Sequence, residues 1–198
     1  RTVRNAITHK TRAILVPHMF GTLASIDDMI GYGIPIIEDC AQAIGAGTAA
    51  KRAGSIGTVS ILSFYATKMM AASKGGMILT NHEPLISKFK DLMQYDNRES
   101  DGECHNLSMN NIEAAIALAQ LGKLDGFVEE RREIAAIYDD AFRQAEKIRI
   151  IPRTQGSVPF RYVVRLDGSI NAEEVLAKLK AYGIDARKPI FKPIHEYL

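Results

Sequence analysis

The sequence predicts an α/β fold in which a mostly parallel central sheet is flanked by helices and followed by a smaller α+β domain. In the first part of the chain, short continuous apolar runs alternate with helical patterns, as is typical of strands buried on both faces of a parallel sheet. Further on, strand patterns precede one amphipathic helix, which is the order of a small α+β domain. We therefore expect a large domain over residues 1–124, and a linking helix with part of a smaller domain over residues 125–198.

Four short runs rich in apolar and β-branched residues are predicted to form the strands of the large domain. They lie at residues 13–17, 34–37, 58–65 and 77–80. The paired glycines Gly75 and Gly76 give the last run a tight connection, which makes it an antiparallel or edge strand. Between the first two runs, Ser25 is positioned to cap a helix. Residues 41–46 are also helix-prone.

Helical spacing of apolar residues predicts four helices in the rest of the chain. They lie at residues 84–93, 110–121, 124–145 and 172–182. The second of these helices carries small and apolar side chains on most of its sides, so we expect it to be buried. Strands are predicted at residues 148–151 and 160–166, and the polar, turn-rich residues 95–105 are predicted to form a mobile loop.

Composition excludes several classes of function. The chain has 25 basic and 23 acidic residues, a net charge of +2, which gives no electrostatic case for nucleic acid or an anionic membrane. Cys40 and Cys104 are too few for a disulfide framework and lie in no metal-binding spacing. No apolar run approaches the roughly 20 residues of a membrane span, and the N-terminal segment is too polar for a signal peptide. We expect a cytoplasmic protein.

Two reactive residues follow neighbouring strands. Asp39 comes just after residues 34–37, and Lys68 lies in the turn after residues 58–65. The carboxyl ends of parallel strands meet at the edge where open α/β sheets bind their ligands. Taken singly, Asp39 would more often be a helix cap or an ion-pair partner than a catalytic group, and Lys68 would more often be a solvent-exposed turn residue. Their combination, with the amide of Gln42 and the hydroxyl of Ser63 nearby in sequence, favours a shared cofactor site.

A GxGxxA string, formed by Gly45, Gly47 and Ala50, suggests a dinucleotide-binding fingerprint. Such a fingerprint belongs in the first turn after a strand, with an acidic residue about 20 residues further on to bind the ribose. Here the glycines lie some eight residues past the strand, and no acid follows at that distance. This context argues against a nicotinamide cofactor.

Several separated segments resemble one protein family. In the order in which the family has them, they are IPIIEDCAQAIGA, GSIGTVSILSFYATK, GGMILTN and NLSMNNIEAAIALAQLGKL. They resemble the DegT/DnrJ/EryC1/StrS family of pyridoxal phosphate-dependent aminotransferases, which act on nucleotide-linked sugars. The upstream ITHKTRAILVPHMFG is similar to the histidine-containing loop that precedes the family's EDxAQ motif, so His18 is expected near the site, without an assigned role. The resemblance implies a pyridoxal phosphate-dependent transferase of fold type I.

The resemblance also implies a role for five residues. Lys68 would form the internal aldimine with pyridoxal 5′-phosphate and act as the proton shuttle, and Asp39 would pair with the pyridine nitrogen. Gln42 would contact the ring and its 3′-oxygen, and Ser63 would donate to the phosphate. Asn106 matches an asparagine that reaches the cofactor phosphate of the neighbouring subunit, which implies a homodimer with shared active sites. The alternative for Asn106 is a cap of the next helix.

The implied function is transamination of a nucleotide-linked keto-sugar in amino-sugar biosynthesis, with glutamate as the usual amino donor. Lys68 argues against the branch of the family that carries histidine there and deoxygenates the sugar. The chain departs from the family at Ser73 and Lys74, where a glycine and an acid are usual, and at Ser108, where an arginine is common. Substrate identity is therefore not carried over from the resemblance.

Members of the family begin earlier and end later than this sequence. The turn that binds the cofactor phosphate at a helix N-terminus is expected upstream of residue 1. We therefore expect a chain truncated at both ends. The alternatives to an active aminotransferase are a non-catalytic or regulatory relative that keeps the fold, and a fragment without activity.

Overall fold

The computed structural model describes residues 2–96, 101–190, 192 and 196. By its tertiary contacts the chain forms two compact units. The first comprises Arg1–Ile134 and Arg153–Arg161, and the second comprises Ala135–Pro152 and Tyr162–Leu198. The predicted domain boundary near residue 125 stays a prediction. Part of the loop predicted at residues 95–105, residues 97–100, lies outside the described residues.

The first unit is built on a four-stranded sheet with the strands in sequence order. The strands are β1 (Ile14–Pro17), β2 (Ile36–Asp39), β3 (Val59–Ser63) and β4 (Gly76–Leu79). The first three are parallel and β4 is antiparallel to β3, which confirms the predicted mostly parallel sheet with an antiparallel edge strand. Because Pro17 pairs with Asp39 and Asp39 with Ile61, the carboxyl ends of β1, β2 and β3 lie at one edge.

Side chains of β2 alternate between two faces of the sheet. Ile36 and Glu38 are buried on one face, while Ile37 and Asp39 are half-buried on the other. Ile36 packs with Val16 and Ile26 in a small apolar cluster. A larger cluster under the end of β3 includes Phe64, Met69, Met70 and Val158 among its members. The two clusters support the carboxyl edge of the sheet from the same unit.

Three helices and the first part of a fourth belong to this unit. They are α1 (Asp27–Ile30), α2 (Glu83–Met93), α3 (Asn111–Leu121) and α4 (Leu124–Phe142). The predicted capping by Ser25 is wrong, since the N-cap position of α1 is Ile26, which makes no side-chain cap. The predicted burial of α3 is wrong for the described structure, in which Ala117 is its single buried residue. No helix of the described part is long and apolar enough to cross a bilayer.

Residues 41–46 form successive turns, not the predicted helix. The Ala43 N–H bonds to the Cys40 carbonyl and the Ala46 N–H to the Ala43 carbonyl, which is the spacing of isolated turns. Gly45 then adopts a φ of +87°, which ends any helical continuation. Helix propensity is a weak preference that this local geometry overrides.

The second unit contains β5 (Ile148–Ile150), β6 (Val164–Leu166) and α5 (Ala172–Ala181). The two strands are antiparallel, and Asn171 caps α5 by accepting the Glu173 N–H. Phe142 of α4 stacks with Tyr138 and Tyr162, and the rings of Tyr138 and Tyr162 pack at a tilt. The Tyr162 hydroxyl donates to Asp139 at 2.8 Å. The second strand is shorter than the predicted 160–166 because its first residues belong to the first unit.

Arg153–Arg161, which we call the strap, packs into the first unit through its backbone. Its carbonyl at Gly156 accepts the Gly47 N–H at 2.8 Å, and its Val158 N–H donates to the Gly21 carbonyl at 2.9 Å. Gly21 has a φ of +84°, and a Cβ placed there would lie 1.7 Å from the Val158 oxygen. Glycine is therefore required where the strap crosses the loop after β1.

Candidate active site

Asp39 and Gln42 lie at the carboxyl edge of the sheet with polar atoms left over. The Asp39 Oδ1 atom accepts the Ala41 N–H at 2.9 Å, and its second oxygen has no partner among the described residues. The Gln42 Oε1 atom accepts the Phe20 N–H at 3.0 Å. Since the amide oxygen is engaged, the NH₂ group of Gln42 is the end left to donate to a ligand. An acceptor and a donor are thus available at this edge.

Ser63, the last residue of β3, and Lys68, in the loop after it, lie at the same edge. Asp39 pairs with Ile61, and Ser63 lies two residues further on, so Asp39 and Ser63 are on one face of the sheet. The Ser63 hydroxyl accepts the Tyr65 N–H at 3.4 Å and keeps its hydrogen to donate. The half-buried Lys68 has its Nζ 5.6 Å from the centroid of the Phe160 ring and has no carboxylate partner within the described ranges. The amine is therefore not used in an ion pair.

Asn106 is not brought to these four residues by any described contact. It is exposed in a segment without regular secondary structure that precedes α3. The N-cap of α3 is Asn110, which accepts the Glu113 N–H at 2.8 Å in a capping box. Asn106 therefore does not cap this helix, and its predicted contact with a neighbouring subunit's cofactor stays a prediction.

The sequence predictions passed over a buried carboxylate, that of Glu38, next to Asp39 on β2. Glu38 is fully buried, and each of its oxygens accepts hydrogen bonds. Oε1 accepts the N–H groups of Ile56 and Gly57 at 2.8 and 2.6 Å, and Oε2 accepts that of Gly54 at 2.9 Å. An acidic residue on the buried face of an apolar strand requires such partners, and that signal was readable in the alternation of β2.

The Ser60 hydroxyl also donates to Glu38 Oε1, at 3.2 Å, and the last hydrogen bond to Glu38 comes from His18. Its fully enclosed ring has Nε2 2.9 Å from Glu38 Oε2, and its Nδ1 lies 3.0 Å from the Ala24 nitrogen. A backbone N–H can only donate, so Nδ1 accepts and the ring proton is on Nε2, which donates to Glu38. His18 also donates its own backbone N–H to the Asp39 carbonyl at 3.0 Å. His18, to which the sequence assigned no role, thus connects the end of β1 to Glu38 and Asp39 of β2.

Hydrogen bonding decides the charge of Glu38. Burial alone would raise its pKa, but the bonds from His18 and from the N–H groups of Gly57, Gly54 and Ile56 outweigh that effect and lower the pKa to about 2. The neighbouring thiol responds in the opposite direction. Burial, with the charges of Glu38 and Asp39, raises the pKa of Cys40 to about 12. Cys40 therefore stays a thiol and is not a nucleophile at neutral pH.

His18, Glu38 and Cys40 also place possible metal-ligand atoms within 4.8 Å of one another. A metal would have to displace existing hydrogen bonds, because both ring nitrogens of His18 and both oxygens of Glu38 already have partners. The Cys40 thiol would also have to lose a proton that its surroundings retain. The chemistry of this cluster argues for a structural hydrogen-bond network.

The mostly parallel sheet, with Asp39 and Lys68 at its carboxyl edge, has the fold of the pyridoxal phosphate-dependent transferases of fold type I. DesV of S. venezuelae shares the fold with a TM-score of 0.89 and 28% sequence identity, over 98% of this chain and 54% of DesV. Residues 1–198 match the model of the DegT/DnrJ/EryC1/StrS aminotransferase family, and the chain belongs to this family.

Two curated relatives indicate the degree of similarity. EpsN of Bacillus subtilis is 31% identical over 198 residues, which cover 93% of this chain and 50% of EpsN. GDP-perosamine synthase of Caulobacter vibrioides is 30% identical over 204 residues, which cover 96% of this chain and 54% of that enzyme. The chain therefore spans about half the length of the curated relatives that it matches.

Glu38 makes the stability of the fold dependent on pH in the acid range. Its pKa is about 2 in the folded chain and near 4.5 otherwise, so the unfolded state binds the proton first. The stabilisation, roughly 3 kcal/mol, should be complete above pH 4.5 and be lost as the pH falls toward 2. Urea unfolding between those limits would measure it.

Two controls separate Glu38 from other carboxyl groups. Asp28→Asn changes an exposed carboxylate of α1 and should retain the acid-dependent loss of stability, whereas Glu38→Gln should flatten it. If Glu38→Gln does not fold, an NMR titration of the Glu38 carboxyl carbon in the unaltered protein gives its pKa directly. A Glu38 carboxyl that titrates near 4.5 would contradict the prediction.

Proposed function

We propose that this chain holds the ring of pyridoxal 5′-phosphate and that the complete protein transfers an amino group to a nucleotide-linked keto-sugar. One observation carries the proposal. At a single sheet edge, a carboxylate oxygen of Asp39, the NH₂ group of Gln42 and the amine of Lys68 all lack a hydrogen-bond or ion-pair partner in the described part of the chain. Polar groups that are half-buried and unpaired at a ligand-binding edge favour a polar ligand.

The available groups fit the polar atoms of the cofactor. The Asp39 oxygen can accept the N–H of a protonated pyridine ring, and the Gln42 NH₂ group can donate to the ring oxygen. Ser63 keeps a hydroxyl hydrogen that can be donated to the phosphate. Lys68 offers an amine that no carboxylate neutralises among the described residues. Donors and acceptors are thus complementary in kind to pyridoxal phosphate.

Pyridoxal phosphate, when bound, supplies an electron sink for the carbon that gains or loses a proton. Asp39 would hold the proton on the ring nitrogen by its negative charge, and Gln42 would orient the ring through its oxygen. Lys68 would hold the cofactor through its aldehyde carbon, and after the substrate amine has displaced Nζ from that carbon, the free Nζ would move a proton between the substrate carbon that bears the nitrogen and the former aldehyde carbon. The ring of Phe160 beside Nζ excludes water from one side of the amine.

Nucleotide-linked keto-sugars are the proposed acceptors, and glutamate is the proposed donor. The acceptor class is supported by relatives such as GDP-perosamine synthase and by Lys68, which stands where the deoxygenating branch has histidine. We also propose a cytoplasmic homodimer in which Asn106 reaches the cofactor phosphate of the partner subunit.

Ser73 stands where a glycine is usual in the family. Its φ of +66° is a conformation that favours glycine, so the loop keeps the same kind of backbone despite the substitution.

Removal of the amine should abolish cofactor attachment. The complete gene product should absorb visible light when supplied with pyridoxal phosphate, and Lys68→Ala should lose this absorbance and its turnover, because Lys68 supplies the amine that is proposed to bind the aldehyde. Lys74→Ala, which alters an exposed lysine of the neighbouring loop, should keep the absorbance. A complete protein that never acquires the absorbance would contradict the proposal.

Removal of the Asp39 carboxylate should separate binding from catalysis. Asp39→Ala should keep the cofactor attached through Lys68 but lower turnover roughly a hundredfold or more, because the ring nitrogen loses the charge that stabilises its proton. Single-turnover kinetics with glutamate would measure the effect, with Asp28→Ala as the matched surface control. Unchanged turnover would show that Asp39 has another role.

The acceptor can be found by direct assay. Keto-sugar nucleotides with different bases and different positions of the keto group would be incubated with the complete protein and glutamate, and amino-sugar products detected by mass spectrometry. We expect amination of at least one of them. Turnover of simple keto acids alone would favour an ordinary amino-acid aminotransferase, and an absence of all turnover would favour the non-catalytic alternative.

A further inference from the structure

The loop that follows β1 is held in place by a buried charged residue rather than by regular structure. This loop comprises residues 18–24. The ring of His18, its first residue, accepts the backbone N–H of Ala24, its last residue, at Nδ1, so the two ends of the loop are joined by one hydrogen bond. The other ring nitrogen donates to Glu38 at 2.9 Å, and both side chains are fully buried. Rotation of the ring would break both bonds inside the core, so the loop has one stable arrangement.

The arrangement includes a strained residue that contacts the proposed site. Phe20 has φ and ψ of 57° and 16°, a left-handed conformation that is strained for a non-glycine residue. In this conformation the Phe20 N–H donates to Gln42 Oε1 at 3.0 Å, and its carbonyl accepts the Phe160 N–H at 3.1 Å. Strain of this kind persists only when the surroundings fix the backbone, and His18 with Glu38 and the strap fix it here.

Fixing Phe20 fixes the orientation of the Gln42 amide. The two ends of a glutamine amide are nearly equal in size, and hydrogen bonding alone decides which end faces a ligand. With the oxygen on the Phe20 N–H, the NH₂ group is turned toward the sheet edge. If Phe20 moved, the Gln42 amide could turn its oxygen, instead of its NH₂ group, toward a ligand oxygen. The two oxygens would then repel each other, and the hydrogen bond from the NH₂ group would be lost.

We propose that His18 and Glu38 are positioning residues that act through the Phe20 N–H to present the Gln42 NH₂ group to the ring oxygen of the cofactor. The inference rests on the proposed function for the identity of that ligand atom. Its physical part, the link from Glu38 through His18 and Phe20 to Gln42, stands on contacts within the chain.

A double-mutant cycle tests the link. In the complete protein, the dissociation constant of pyridoxal phosphate would be measured by absorbance titration for Gln42→Ala, Glu38→Gln and the double variant. As a single substitution, Gln42→Ala should weaken cofactor binding about tenfold, as expected for loss of a hydrogen bond to a charged oxygen. In the Glu38→Gln background it should weaken binding less than about threefold, because the amide is already misoriented. Independent, additive effects would overturn the inference.

A matched control excludes general destabilisation. Ile36→Val removes a methyl group from the same buried face of β2 and so destabilises the core modestly, without touching the hydrogen bonds of Glu38. In this background Gln42→Ala should retain its full effect of about tenfold. If Glu38→Gln does not fold, His18→Gln replaces it in the cycle, since its amide cannot hold both Glu38 and the Ala24 N–H.

A measurement without cofactor separates the two proposals. Amide hydrogen exchange by NMR should show the Phe20 and Ala24 N–H groups protected in the unaltered protein and less protected in Glu38→Gln, with Ile36→Val unchanged at these positions. That result together with no binding of pyridoxal phosphate would sink the proposed function and keep the positioning link. Normal cofactor binding with Phe20 and Ala24 equally protected in both proteins would overturn the positioning link alone.

Discussion

The buried carboxylate of Glu38 is the interaction on which the geometry of the sheet edge depends. A charge in the core costs several kcal/mol unless every lone pair is satisfied. Glu38 meets this condition with the His18 ring and three backbone N–H groups of the loop at residues 54–57. Any shift of these donors leaves a buried charge unpaired, so two loops and the strand between them are fixed relative to one another. The constraint is local in space but joins segments distant in sequence.

Because side chains alternate along β2, the contacts that fix Glu38 also fix the position of Asp39. Since neighbouring side chains of β2 point to opposite faces, a Glu38 fixed in the core means that Asp39 projects from the other face at the carboxyl end. The His18 N–H to the Asp39 carbonyl holds the backbone at that point. One residue thus stabilises the fold and the next is left with an unpaired oxygen for chemistry. Stability and reactivity lie side by side on one strand.

Patterns local to a segment were readable from the sequence, and pairings between segments were not. Apolar runs predicted the strands, and strand ends predicted the edge that carries Asp39 and Lys68. The bond from His18 to Glu38 joins residues 20 apart, and neither has a partner nearby in sequence to reveal it. The burial predicted for α3 rested on composition, but burial depends on what covers a helix, and within the described residues only the face of Ala117 is covered.

The geometry of the proposed site also depends on the strap, which lies far from Asp39 and Lys68 in the sequence. Its Phe160 places an aromatic ring beside Lys68, and the N–H of the same residue holds the strained Phe20 that orients Gln42. One residue of the strap therefore contacts Lys68 directly and Gln42 through Phe20, the two groups proposed to bind neighbouring substituents of the cofactor ring. Because closing so long a loop is entropically costly, these contacts are expected to form late in folding, after the sheet. The sheet edge would then form before the contacts by which the strap holds Phe20 and covers Lys68.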